Sequence, residues 1–210
     1  MIDSYKTLTL EKYEELMKID IEQEEVDIQA NMISILSSIP LNDVYELPLT
    51  KYMELAAKTR FLTTPPNPTD IKKTYKLNGN EYVVLKSVKD MITAQYIDYQ
   101  NYLQQKADLV YILSCFLIPK GNKYGEYDID SVIEDIRQIS VEEALSISNF
   151  FTKQFLSLTR ATLYCLEKQM KKQMKQMDET QKPKMEIAIH NLHTLRYSLR
   201  NGDGFHQLMK

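Results

Sequence analysis

The sequence predicts a mainly α-helical protein: a helical domain with a degenerate internal duplication, one inserted β-hairpin, and a C-terminal helical hairpin. Three observations carry this expectation. Long stretches place apolar residues three or four apart with charged residues between them, the spacing of helices that bury one face. A single short stretch alternates instead, around Asn78 and Gly79. Prolines gather at the ends of the helical stretches, where a missing amide donor and a fixed φ do least harm.

The first stretch, LTLEKYEELMKIDIEQEEVDIQANMISILSSIP, carries apolar residues at Leu10, Tyr13, Leu16, Met17, Ile21, Ile28, Met32, Ile35 and Leu36, with acids on the opposite face. It predicts helix from a cap at Thr7 or Thr9 to a stop at Pro40. A second helix is expected over about residues 50 to 62, TKYMELAAKTRFL, ended by the three prolines of TTPPNPTD. In KKTYKLNGNEYVVLKSV the period falls to two. Asn78 and Gly79 both tolerate positive φ, as two-residue hairpin turns require, so a β-hairpin is expected at about 74–85. A lone hairpin is marginal in water, so it must pack on the helices or pair with another chain.

The most apolar run, LVYILSCFLIPKGNKYG, spans residues 109 to 125. Its apolar part, Leu109 to Ile118, is about half of what a helix needs to cross a bilayer. It is expected as the buried heart of the domain, with Leu113 and Phe116 in the core. Residues 91 to 119 also repeat the plan of the first stretch. Tyr13 corresponds to Tyr96, Ile35-Leu36-Ser37 to Ile112-Leu113-Ser114, Pro40 to Pro119, and Phe61-Leu62 to Phe155-Leu156. This suggests a duplication over residues 8 to 62 and 91 to 156 with the hairpin between the halves. Ser140 and Glu143 form a capping box for the last helix of the second half.

Beyond Leu156 a narrow apolar stripe, Leu163, Leu166, Met170, Met174 and Met177, lies on an otherwise charged helix. Pro183 interrupts it, and Ile187, Ile189, Leu192, Leu195 and Leu199 resume the pattern until Gly202. An antiparallel helical hairpin with its tip near Thr180 to Lys184 is expected. The domains are therefore read as 1–156 and 157–210.

Composition narrows the function. A net charge of −3 gives no general attraction to nucleic acid, and the N-terminal residues lack the basic and apolar blocks of a signal peptide. Cys115 and Cys165, both in apolar helical contexts, are expected to be buried free thiols of a reducing compartment. PKGNKYGEYD has glycine and lysine at a helix end but not the spacing of a phosphate loop, and reads as a turn onto which Tyr124 and Tyr127 pack back. His190 and His193 share a helix face, but with Glu186 and His206 they make no recognised metal pattern. No catalytic residue, metal ligand or cofactor site is assigned.

Charge asymmetry says more. Residues 1 to 30 hold nine acids against three Lys or Arg, net −6, whereas residues 167 to 210 hold nine Lys or Arg against five acids, net +4. Opposite ends therefore attract, within one molecule or between neighbours. The basic helix KQMKKQMK has no aromatic residues interleaved, which argues against nucleic acid. Methionines are adaptable at interfaces. The expected partner-binding residues are Met170, Lys171, Lys172, Met174, Lys175 and Met177, on a surface for another protein or another copy of the chain.

The order LTLEKY, KLNGNEYVVL, ITAQYIDYQNY and LIPKGNKYGEYDID, over about residues 7 to 156, resembles small helical morphogenesis and virion proteins of tailed bacteriophages. The likeness is to proteins of phages of gut Bacteroides, including crAss-like phages, some of them similar to tail assembly chaperones. The resemblance implies a non-enzymatic virion component or tail assembly chaperone whose partners are other phage structural or tail proteins. It implies a place in the bacterial host cytoplasm during assembly or in the particle. Two other classes remain: a nucleic-acid-associated accessory protein using the basic C-terminal helix, and an enzyme whose sign would be a deep pocket holding several strongly perturbed titratable groups.

Overall fold

The structure, a computed structural model, describes residues 1–67 and 69–201, with the backbone alone for Arg200 and Asn201. The helix stop expected at Gly202 and the candidate ligand His206 lie outside the described residues. The chain is mainly α-helical with a small antiparallel sheet, as expected. It forms two compact units: Met1–Lys86 with Asp90–Asn149, and Ser87–Lys89 with the chain from Phe150 onward.

In the first unit, Thr9 caps α1 (Leu10–Leu16), its hydroxyl accepting the Lys12 amide. The helix expected to run on to Pro40 stops at Met17. Asp20 accepts the Glu22 amide at 2.9 Å, and α2 (Glu25–Ser37) begins only after Glu24. A short acidic side chain that bonds the backbone two residues on offers the chain a turn in place of a helical one. Met17 and Ile21, expected on a buried face, are consequently 68% and 83% exposed. The second predicted helix is present as α4 (Leu49–Lys58) and a 3₁₀ turn over Thr59–Thr63, preceded by the unpredicted α3 (Leu41–Tyr45). Ala30, Ile33, Val44 and Leu55 form the core where α2, α3 and α4 meet.

The hairpin is where the sequence places it. β1 (Thr74–Leu77) pairs with β2 (Asn80–Val84) through a turn with Asn78 at φ 47° and Gly79 at φ 85°. A third strand, β3 (Leu117–Pro119), pairs antiparallel with β2, Leu117 opposite Val84 and Pro119 opposite Tyr82. The sequence reading made Pro119 the stop of a helix. Instead, after α5 (Thr93–Gln104), the helix α6 (Leu109–Ser114) gives way at Cys115, and Pro119 sits on an edge strand, where a missing amide is tolerated. Leu113 and Phe116 are fully buried, as expected. The first proposed repeat holds α1 to α4, and the second holds α5 to α7 and the start of α8, which runs on past residue 156 to Met174.

Polar contacts anchor the sheet. Asp135 of α7 (Ile129–Ile136), a helix absent from the sequence reading, accepts hydrogen bonds from Tyr82, Asn80 (2.7 Å) and Asn78 (3.0 Å). Burial pushes the Asp135 carboxyl up, but the three donors outweigh it and hold the group below the usual carboxylate range. Residues 8 to 11 run beside residues 137 to 141: the Leu10 amide donates to Ile139 (3.0 Å) and the Val141 amide to Leu8 (2.8 Å), and Leu8 and Ile139 are both fully buried.

The helices predicted separately from Ser140 and from beyond Leu156 form one, α8 (Val141–Met174). The boundary between the two units falls within it. Ser140 caps it, accepting the Glu143 amide and donating to the Glu143 carboxylate. The chain returns in α9 (Lys182–Asn201), with Pro183 in its first turn, where proline is tolerated, rather than as an interruption. In the second unit, Gln154 accepts from the Ser87 hydroxyl and the Val88 amide, both at 3.0 Å.

Candidate protein-binding surface

From Leu163 onward α8 is a helix with one side covered. Leu163 and Glu167 are buried, Met170 and Met174 are half-buried, and the positions between them are exposed. Arg196 of α9 holds the covered side, reaching the Glu167 carboxylate at 3.0 Å and lying over the Tyr164 ring at 5.3 Å. About two turns earlier, Arg160 donates to the Leu199 carbonyl. Residues 160 and 199, then 167 and 196, therefore face each other, the antiparallel register of a helical hairpin. Glu167 also accepts from Lys171 at 2.6 Å, and that hydrogen bond, with Arg196 adding to it, holds the Glu167 carboxyl below the usual range.

This geometry divides the six residues expected to bind a partner. At 3.6 residues per turn, Met170, Met174 and Met177 fall on the side of Leu163 and Glu167, the side that Arg196 ties to α9. Met177 lies past the end of α8, in the turn, and is half-buried like the other two. Lys172 and Lys175 point away from that side and are exposed, whereas Lys171, also exposed, turns its ammonium to Glu167 at the edge of the covered side. With Lys168 the three lysines lie at positions i, i+3, i+4 and i+7, a basic face whose edge at Lys171 borders the methionine stripe.

Three residues of this face were missed in the sequence. Cys165 and Gln169 join the four lysines in lining a shallow cleft of about 550 Å³ whose walls are largely the aliphatic stems of the lysines. Cys165 was expected buried and is exposed, whereas Cys115 is buried. Its exposure follows from its place opposite the covered side of α8. Tyr164, 55% exposed, stands one turn before Lys168 on the same face. The absence of aromatics from KQMKKQMK held only for that octapeptide. The signal was the i, i+4, i+8 series Tyr164, Lys168, Lys172.

The first unit concentrates titratable groups elsewhere. Cys115 lies 4.0 Å from the Tyr124 hydroxyl, which donates to Asp98 at 2.8 Å, and Tyr124 packs edge-on against Tyr127. The turn at Gly121 and Gly125 thus returns both tyrosines to the body, as the sequence suggested. Burial pushes the Cys115 thiol and the Tyr127 hydroxyl each up to about 12, and Tyr124 higher still. A neighbouring cleft of about 450 Å³ is lined by Tyr82, Lys120, Tyr127 and Asp128 among others. There Tyr82 is committed to Asp135 and Lys120 to Glu81 at 2.8 Å. Groups held neutral or already paired are poorly tuned for acid–base work near neutral pH. His190 and His193 are both exposed on α9. Among the described residues no helix is long and apolar enough to cross a membrane.

Comparison of the chain with known protein families, with curated proteins and with solved structures finds no match.

Proposed function

We propose that the chain is a non-enzymatic structural or assembly protein that works through protein–protein contacts, its main contact surface being the outward face of α8. The observation that carries this reading is the division of α8. One side is tied to α9 by Arg160 and Arg196, and the other presents Lys168, Lys172 and Lys175, with Lys171 at its edge bonded to Glu167. A partner with acids and aliphatic side chains fits a face of lysine stems and ammonium groups. Following the resemblance over residues 7 to 156, the partners are tailed-phage capsid, portal or tail proteins, met in the host cytoplasm during assembly or retained in the particle.

Mass spectrometry of particles and assembly intermediates, purified from cells that produce the chain, tests this. The chain is expected in stoichiometric association with identified capsid, portal or tail proteins. Its recovery only as a free species would overturn the proposal. A nucleic-acid-associated role is favoured by one observation, Tyr164 in line with Lys168 and Lys172, which sets an aromatic ring, one face of it under Arg196, beside phosphate-binding charge. Retention on DNA that falls steeply with salt, with no protein partner, would support that role instead.

A further inference from the structure

The acids of the N-terminal region are most exposed where α1 fails to continue. Residues 17 to 26, MKIDIEQEEV, carry four acids and one lysine, and all but Ile19 are exposed. Three aliphatic side chains stand in solvent among those acids: Met17, Ile21 and Val26, at 68%, 83% and 60% exposure. Among the described residues, Glu22, Glu24 and Glu25 form no ion pair, and neither do Lys168, Lys172 and Lys175. The chain therefore presents two complementary unsatisfied surfaces. One is acidic with protruding aliphatic groups, and the other is basic, its lysine stems bordering a shallow open cleft along α8.

We propose that the occupant of the α8 cleft is residues 17 to 26 of a second copy of this chain. This deepens the reading of α8 as a contact surface and rests on it. Ile21 enters between the lysine stems, and Glu22 and Glu24 meet Lys168, Lys172 and Lys175. Because the two patches are different surfaces, the contact is head-to-tail. Repeating it gives a ring or an open chain of copies rather than a closed two-fold dimer.

The test uses the full-length chain. Equal amounts of isotopically light and heavy chains are mixed and treated with a zero-length carbodiimide, which joins a carboxylate to an amine in direct contact. Mixed-isotope cross-links between residues 17–26 and 165–175, in products extending past the dimer, are the expected result. Sedimentation should show association that weakens about tenfold or more between roughly 50 mM and 500 mM salt, as screened surface charges require. Lys168→Glu/Lys172→Glu/Lys175→Glu and Glu22→Lys/Glu24→Lys should each be monomeric with unchanged circular dichroism. Mixed together they should re-form head-to-tail assemblies holding the two variants in equal numbers, since the intact patch of one meets the intact cleft of the other and the reversed patch meets the reversed cleft. Same-isotope cross-links alone, or a monomer at every concentration, overturns the proposal. So does lysine-dependent binding of a labelled single-stranded oligonucleotide without self-association. A monomer that still accompanies identified phage proteins in particles removes the self-contact and leaves the assembly reading standing.

Discussion

The two units solve the same problem by different means. The first holds most of the fully buried residues and joins distant parts of the chain: Tyr82, Asn80 and Asn78 to Asp135, Leu8 to Val141, Leu10 to Ile139. The second is held by a narrow stripe and a few arginine contacts, and leaves Tyr164, Leu166, Ile187 and Tyr197 exposed. Broad burial supplies stability in the first unit even though Met17, Ile21, Leu49, Met53 and Ile97 there stand exposed. A helical pair covered on one side is cheap to stabilise and keeps its other side available for a partner. Core substitutions in the first unit should therefore act on stability, and substitutions at the outward face of α8 or among residues 17 to 26 on association.

The largest effect belongs to the core of the first unit. Leu113→Ala should cost about 2 to 5 kcal/mol, read by denaturant unfolding, because Leu113 is fully buried and its neighbours relax only in part. A loss below about 1 kcal/mol would mean that the 109–118 run is not the core. Next comes the sheet anchor. Asp135→Asn turns one acceptor oxygen into an amide NH2 that faces either the Asn78 donor or the Asn80 and Tyr82 donors, and should cost about 2 to 3 kcal/mol. The pH dependence has a fixed sign. The folded Asp135 carboxyl lies below its unfolded value, so its contribution is complete above the unfolded value near 3.8 and is lost as pH falls through the lower folded value. Thermal melts in that acid range should show a slope that Asp135→Asn reduces.

Smaller still is the effect on the hairpin. Met170→Asp with Met174→Asp places carboxylates on the covered side of α8 and should lower the protection of α9 by about 1 to 2 kcal/mol in hydrogen exchange. The amides of α2 and α6 should keep theirs. Loss of protection in both units would show that the second unit is not an independent layer of stability.

The same contrast explains what was legible in the sequence. The hairpin was placed correctly because Asn78 and Gly79 meet a local backbone demand. The burial of Leu113 and Phe116 was legible because so apolar a run has nowhere else to go. The third strand was not, because pairing Leu117 with Val84 depends on residues far apart in the chain. Helix α7 went unread in spite of a cap at Asp128 and the spacing of Val132, Ile133 and Ile136. The break at Asp20 was also missed, since one side-chain bond overrode good periodicity. On α8 the methionine stripe and the lysines were both visible, but their faces were merged. The ties of Arg196 to Glu167 and of Arg160 to Leu199 show which side is covered.

Lysine footprinting of the full-length chain, free and in the assemblies recovered from producing cells, tests the role of α8 most directly. Acylation of Lys168, Lys172 and Lys175 should fall several-fold in the assembled state, while Lys76 and Lys123, exposed on the first unit, keep their reactivity. Equal reactivity of all five lysines in both states would contradict the account, because the outward face of α8 would then be solvated surface and not a site of contact.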